Sequence, residues 1–380
     1  MPSIGIVAGE ASGDLLGADL ISALRKHRPD LRVIGIGGDQ MRQAGCECLY
    51  PIEKLSVMGI AEVFGRYFEL IAIRRNVKKY FIEHPPEVFI GVDAPDFNFS
   101  LERDLRNAGI RTIHYVSPSI WAWREYRLKS IAKSVDLMLV LFPFEPHYYE
   151  KYDIPVKFVG HPLARSINLQ PDKSGARKQL GLPEKDTIVA IMPGSRQSEL
   201  NRLIEPFLKA AVWCQQRFSG LHFVSSLVHQ NARNHFENEA RRIAPGIRIS
   251  TYAGQSLAVM EAADVILLAS GTVALEAMLL KRPMVVGYKV NWLTYQIAKR
   301  LIRVPYVSLP NLLAGKSLVP ECLQDNCRPE ILGQEIISWL NDPQRVTRLI
   351  QEFTEIHRKI RLEADTVLTN TILEFIHGQT

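Results

Sequence analysis

Apolar residues along this chain gather into short β-branched runs separated by stretches with helical spacing. Ile4–Ala8, Val33–Ile36, Val88–Val92, Arg111–Val116 and Leu137–Leu141 read as strands, and Leu15–His27 as an amphipathic helix. Asp153–Arg165 carries one more strand and then a Gly-His-Pro break. The polar, turn-rich stretch Gln170–Gly175 reads as a linker. A second alternating set begins at Thr187–Met192 and continues through His222–Ser225, Ile247–Ser250 and Val265–Leu268 to Met284–Val286. From about Pro343 onward the pattern is helical. Such alternation predicts two doubly wound parallel α/β domains, over 1–168 and 169–342, followed by a helical tail over 343–380.

One helical stretch carries two apolar faces. Between Val63 and Phe81, the residues Val63, Leu70, Ile73, Val77 and Phe81 share a face that should be core. The opposite face is apolar at first (Phe64, Tyr67, Phe68, Ile71) and then basic (Arg75, Lys78, Lys79). With the apolar stretch Val57–Ile60 before it, this reads as a helix dipping one end toward lipid while cations meet anionic headgroups. The alternative is a second packing face against another helix or a subunit.

Composition changes this picture little. At 380 residues, with 47% apolar and 23% charged residues, the chain has the make-up of an ordinary soluble globular protein of two domains. A net charge of +6 suits acidic ligands or an anionic surface and is too diffuse to argue for nucleic acid. The five cysteines show no zinc spacing and are expected to be reduced, cytosolic thiols. Met1–Ala8 lacks the form of a signal peptide. No apolar run approaches the roughly 20 residues a membrane span requires, so any membrane contact is expected to be peripheral.

Candidate chemistry sits at strand ends. After Val265–Leu268 comes the turn Ala269-Ser270-Gly271, where Thr272 can cap a helix running to about Leu280. Free amides and the positive end of the helix dipole suit a phosphate there, and Glu276, one turn on, is placed to meet ribose hydroxyls. An ordinary crossover with capping Ser and Thr has the same sequence pattern. In Met192–Arg196 (MPGSR), Gly194 and Ser195 can approach a phosphate closely and Arg196 offers a bidentate fork. Glu199 fits a helix start. Together with Ser270–Thr272 this makes two strand ends converging on one anion.

The first half has two such turns. In GEASGD (Gly9–Asp14), Gly9 and Gly13 let the backbone turn, Ser12 can cap the following helix, and Glu10 is either a sugar ligand or a helix-terminal carboxylate. GVDAPDFN (Gly91–Asn98) puts Asp93 where an α/β sheet presents catalytic groups, as a candidate general base, with Asp96 better suited to capping. Trp121 and Trp123 either line an acceptor cleft or cover core. Neither a Walker motif nor G-x-G-x-x-G is present. Pro310 stands where a P-loop ending in Gly315-Lys316-Ser317 would need glycine.

Taken in order, GEASGD, SVMGIAEV (Ser56–Val63), GVDAPDFN, IHYVSPSIWAW (Ile113–Trp123), MPGSR, LLASGTVALEAML (Leu267–Leu279), PMVVGY (Pro283–Tyr288) and YVSLPNLLAGK (Tyr306–Lys316) resemble the lipid-A-disaccharide synthases. The resemblance runs from Gly9 to Lys316 and fades over the last sixty or so residues. It implies a GT-B glycosyltransferase with two Rossmann-like domains, the acceptor largely in the first and the donor nucleotide in the second. The reaction implied joins UDP-2,3-diacylglucosamine to 2,3-diacylglucosamine 1-phosphate, inverting at the anomeric carbon, in lipid A biosynthesis. Asp93 is implied as the base, with Glu10 in reserve. Arg196 and Ser270-Gly271-Thr272 would stabilise the leaving diphosphate, Glu276 would hold the ribose, and Asn311 would lie near the donor. Neither cofactor nor metal is called for if cations and helix dipoles carry the leaving-group charge. Acylated substrates imply a cytoplasmic protein peripheral on the inner membrane, and the resemblance permits a homodimer with exchanged C-terminal segments.

Three other readings share parts of this pattern. Another GT-B sugar-nucleotide enzyme, a second glycosyltransferase or a UDP-sugar epimerase, would differ in acyl-chain dependence. A non-catalytic nucleotide- or lipid-binding protein would tolerate Asp93→Asn. A dinucleotide dehydrogenase is disfavoured by the missing glycine fingerprint.

Overall fold

The computed structural model describes residues 2–55, 60–120, 127–291, 295–296, 304–362 and 364–378, except the side chains of 60–67 and 364–365. It divides into two compact units, Met1–Arg165 with Ile360–Thr380, and Ser166–Lys359. The tail expected over 343–380 is therefore shared: helix Pro343–Ile360 belongs almost wholly to the second unit, and Ala364–Ile376 to the first.

The first unit is built on seven parallel strands: β1 (Ser3–Ala8), β2 (Arg32–Gly37), β3 (Cys46–Pro51), β4 (Val88–Val92), β5 (Thr112–Tyr115), β6 (Leu137–Val140) and β7 (Val156–Phe158), in the order β3-β2-β1-β4-β5-β6-β7. Helices cover both faces, so the central strands carry unbroken apolar runs; all of β4 (VFIGV) is buried. Helix α1 (Ala11–His27) and the returning C-terminal helix, which contributes Leu368, Ile372 and Phe375, close a core on one face. Helices α2 (Ile60–Glu83) and α3 (Pro95–Asn107) close the other. Ile73, Val77 and Phe81 of α2 are buried against the sheet, as their spacing predicts.

The second unit has six parallel strands: β8 (Thr187–Met192), β9 (Leu221–Leu227), β10 (Ile249–Ala253), β11 (Val265–Ala269), β12 (Met284–Tyr288) and β13 (Glu321–Leu323), in the order β10-β9-β8-β11-β12-β13. Helices α4 (Gln197–Gln215) and α5 (Thr272–Leu279) follow β8 and β11 directly. Strand order reverses between β1 and β4 in one sheet and between β8 and β11 in the other. A crevice at the carboxyl ends of the strands opens at such a reversal. GEASGD and GVDAPDFN flank the first reversal, and MPGSR and SGT flank the second.

The predicted break at Gly160-His161-Pro162 is a structural joint inside the first unit. His161 donates its amide to Ile360 O (2.9 Å), and its ring nitrogen accepts from the amide of Leu163 (3.2 Å). Desolvation pushes its imidazole down from 6.5 to about 4. The unfolded chain binds a proton there near the ordinary value and the folded chain only near the depressed one. Stability is therefore fully present above pH 6.5 and lost as pH falls toward 4. Urea midpoints across this window should fall more steeply for the native protein than for His161→Gln; parallel curves would assign the acid sensitivity to other groups.

Candidate active site

In the first unit the two turns at the strand reversal touch. A side chain at Gly9 would collide with Ala94 Cβ, and Gly13 packs on Ala8 and on Val92 O (3.3 and 3.4 Å from the position of a Cβ). Only glycine lets the GEASGD backbone lie this close to the Asp93 turn. Helix α1 begins at Ala11 with Glu10 at its N-cap and no side-chain cap. Ser12 is thus an exposed residue inside the first turn rather than the cap, and Asp14 turns away to accept amides from Gly38 (2.7 Å), Gln40 (3.0 Å) and Met41 (3.1 Å). Glu10 is exposed at the helix N-terminus.

Asp93 is half-buried just past β4, its amide continuing the ladder to Tyr115 O at 2.9 Å. Asp93 and Ala94 have φ of 52° and 45°, two successive non-glycine residues in the left-handed region. Each such residue costs about 1–3 kcal/mol, and Ala94 also precedes a proline, which favours extended backbone instead. Ala94 occupies the N-cap of α3 with Pro95 at its first position. Asp96, expected as the cap, instead forms an ion pair with Arg127. Trp121 and Trp123 lie outside the described residues.

The second unit holds a cavity of about 490 Å³ at the carboxyl ends of β8, β9, β11 and β12. That volume is ordinary for a small-ligand site. Gly194, Ser195, Arg196, Ser270, Gly271, Thr272 and Glu276 all line it, so the structure brings MPGSR and SGT onto one space. Gly271, not Thr272, is the N-cap of α5, with no side-chain cap, and Thr272 opens the helix exposed. Around MPGSR the arrangement differs from a phosphate cradle of backbone amides. Glu199 Oε2 accepts from the amides of both Ser195 (3.0 Å) and Arg196 (3.2 Å), and Gly194, at φ 113°, leaves the room this carboxylate fills. What MPGSR offers to an anion is therefore the exposed Arg196 guanidinium.

Several lining residues were not singled out from sequence. Ser226 and Leu227 end β9, Val228 follows it, and Tyr288 ends β12; placement at a carboxyl strand end is the signal they share. Asn311 is not among the lining residues. It is fully buried, donating to Val319 O and Glu321 Oε1 (both 2.9 Å) and accepting from the amides of Leu318 (2.7 Å) and Val319 (3.0 Å). Glu321 in turn accepts from the amides of Val307 and Ser308 (3.0 and 2.9 Å), so Asn311 braces the loop beside Ser270. Lys316 forms an ion pair with Glu352.

The match to known proteins fits this geometry. The family model for lipid-A-disaccharide synthetase matches residues 4–372. The lipid-A-disaccharide synthase of Vibrio vulnificus is 48% identical over 373 residues, spanning 98% of both chains. That of Haemophilus influenzae is 45% identical over 381 residues, 99% of this chain and 98% of its own. The chain belongs to the lipid-A-disaccharide synthase family. It is a glycosyltransferase of lipid A biosynthesis. Among solved structures, a putative UDP-N-acetylglucosamine 2-epimerase from Listeria monocytogenes aligns over 99% of this chain and 97% of its own, with TM-score 0.68 at 12% identity. An Anabaena protein, HepE, solved with UDP and glucose, aligns over 99% of both chains with TM-score 0.59 at 14% identity. Both share the GT-B fold, two parallel α/β sheets each.

Glu276 is half-buried on the cavity wall, and burial raises its carboxyl above the usual range. With the folded pKa raised, stability is fully present below the ordinary carboxylate value and lost as pH rises through the folded one. Glu276→Gln should therefore raise the melting temperature of the ligand-free protein at pH 8 and leave it unchanged at pH 4. Equal midpoints at pH 8 would mean that water already solvates this carboxylate.

Proposed function

We propose that the chain transfers the diacylglucosamine group of UDP-2,3-diacylglucosamine to the 6-hydroxyl of 2,3-diacylglucosamine 1-phosphate. The products are the β-1,6 disaccharide 1-phosphate and UDP. What carries this reading is the cavity of the second unit, where a guanidinium, an uncapped helix N-terminus and a carboxylate line one space sized for a small ligand. A diphosphate suits Arg196 and the terminus at Ser270–Thr272, and a ribose suits Glu276.

In the reaction Asp93 takes the proton of the attacking hydroxyl. The new bond from that oxygen to the anomeric carbon forms on the face opposite the leaving group, and the bond to UDP breaks with its electron pair on the diphosphate. Arg196 and the dipole of α5 stabilise the charge developing there. A single displacement inverts the anomeric centre and needs one base, with Glu10 as the alternative to Asp93. Asp93→Asn should lower kcat at least about 100-fold while UDP affinity is retained. A normal kcat, with Glu10→Gln inactive, would move the base to Glu10. Acceptor-dependent UDP release should be unchanged by EDTA; loss that Mg²⁺ restores would add a metal to the mechanism.

Both substrates are acylated, and α2 offers the surface to reach them. Phe68 is 82% exposed, Ile71 is half-buried and Arg75 is exposed, whereas Lys78 is paired with Asp104. No described helix is long and apolar enough to cross a membrane. The side chains of Phe64 and Tyr67 lie outside the described residues. Contact of this face with an anionic bilayer belongs to the same proposal, as does a homodimer exchanging the C-terminal helix. Phe68→Ser with Ile71→Ser should release the protein from phosphatidylglycerol vesicles without changing its melting temperature; unchanged binding would place the lipid contact elsewhere.

A further inference from the structure

Beneath the Asp93 turn lies a buried polar cluster that the reaction does not itself use. Asn98, Glu102 and His114 are all completely buried. Gly91 of β4 pairs in register with Val7 of β1 on one side and with His114 of β5 on the other. Asn98 and Glu102 are one helical turn apart on α3 and lie directly over Gly91. A Cβ on Gly91 would collide with Glu102 Oε1 and come within 3.0 Å of Asn98 Cβ. The absence of a side chain there is what lets both polar groups reach the sheet.

The Asn98 amide nitrogen donates to Asp93 O (2.8 Å) and Val7 O (3.1 Å), with Val92 O at 3.5 Å. Three carbonyls around one nitrogen fix which way the amide faces, since the flipped group would set its oxygen against all three. Asn98 Oδ1 has no partner among the described residues, so the side chain is held there by its donor end alone. One turn on, Glu102 Oε1 meets His114 Nδ1 at 2.7 Å, and Phe99 packs on the His114 ring with centroids 4.3 Å apart. This pair ties α3 to β5 and sets the rotation of the helix, which delivers Asn98 to the ends of β1 and β4. The backbone that Asn98 grips is the one in the left-handed region, at Asp93 and Ala94. Left-handed geometry at two successive non-glycine residues persists only where its surroundings impose it.

We propose that Asn98 is a positioning residue for the transfer, holding the Asp93 turn in its left-handed form, with Glu102 and His114 acting through α3 to place it. The inference rests on the reading of Asp93 as the base. Neither Asn98 nor its supports touches substrate; their effect is on where the Asp93 carboxylate points.

The test is steady-state kinetics on Asn98→Ala, Asn98→Asp and Glu102→Gln, beside Asp93→Asn and a control, Leu105→Ala, which removes core on the same helix. Each is assayed for kcat, both KM values, UDP affinity and melting temperature. Asn98→Ala should lose roughly 100-fold in kcat with KM and UDP affinity within threefold, the cost expected of a misplaced catalytic group. Asn98→Asp has the same shape and replaces the donor by an acceptor facing three carbonyls, so it should fall at least as far. Glu102→Gln keeps a bond to His114 and should retain kcat within about fivefold. Leu105→Ala should lower the melting temperature and spare kcat, which separates positioning from general loss of stability. If Asn98→Ala does not fold, Asn98→Ser, which keeps one donor, should show the same kcat loss in smaller degree. A normal kcat in a folded Asn98 variant beside an inactive Asp93→Asn would overturn the positioning role alone. Full activity in Asp93→Asn would remove the base, and this role with it.

Discussion

Beside β1 and again beside β8, the direction of winding reverses, so the crossover helices on either side are sent to opposite faces of the sheet. No helix can then cover the carboxyl ends of β1 and β4, or of β8 and β11. The four candidate turns, GEASGD, GVDAPDFN, MPGSR and SGT, each sit in one of those two gaps. Glycine packing at Gly9, Gly13 and Gly91 tightens the first gap, and the opening of α5 at Gly271 exposes the second. The candidate residues differ between the halves while the frame that presents them is the same.

The strand runs could be read from sequence because central parallel strands are buried on both faces and so are unbrokenly apolar. The two strands that could not be read, β3 and β13, lie at the sheet edges. β3 (CECLYP) is half-exposed over most of its length and ends in proline, and β13 has three residues, so neither presents an apolar run. The motif turns were legible as turns, but their capping was not. Ser12 and Thr272 have the right chemistry for caps, yet the helices start one or more residues earlier, at uncapped termini. A helix end that will hold a ligand must keep its amides free, and sequence preference for capping points the other way. Asn311 shows a different limit. Its four hydrogen bonds are all internal, and nothing in the string SLPNLLAG distinguishes an asparagine turned inward from one facing a cavity.

Charge is distributed unequally around the cavity of the second unit. Glu199 accepts from the two amides of the MPGSR turn and Arg196 is exposed, so one wall offers a side-chain cation while α5 offers a fixed dipole. Glu276, raised by burial, faces the same space with its charge disfavoured. A hydrogen bond donated to that carboxylate by a ligand hydroxyl would favour its charged form.

The return of the chain to its first unit at Ile360 has a consequence for how the protein is made. The helix Ala364–Ile376 completes the core that α1 begins, with Leu368, Ile372 and Phe375 packed among Leu20, Ile21 and Leu24. On the ribosome that core stays open while the whole second unit, roughly 200 residues, is synthesised. At about 5–20 residues per second, the delay is on the order of ten seconds or more. During that interval the apolar surface that Leu368, Ile372 and Phe375 later cover beside α1 stays exposed, a vulnerability to misassociation that the completed unit does not have.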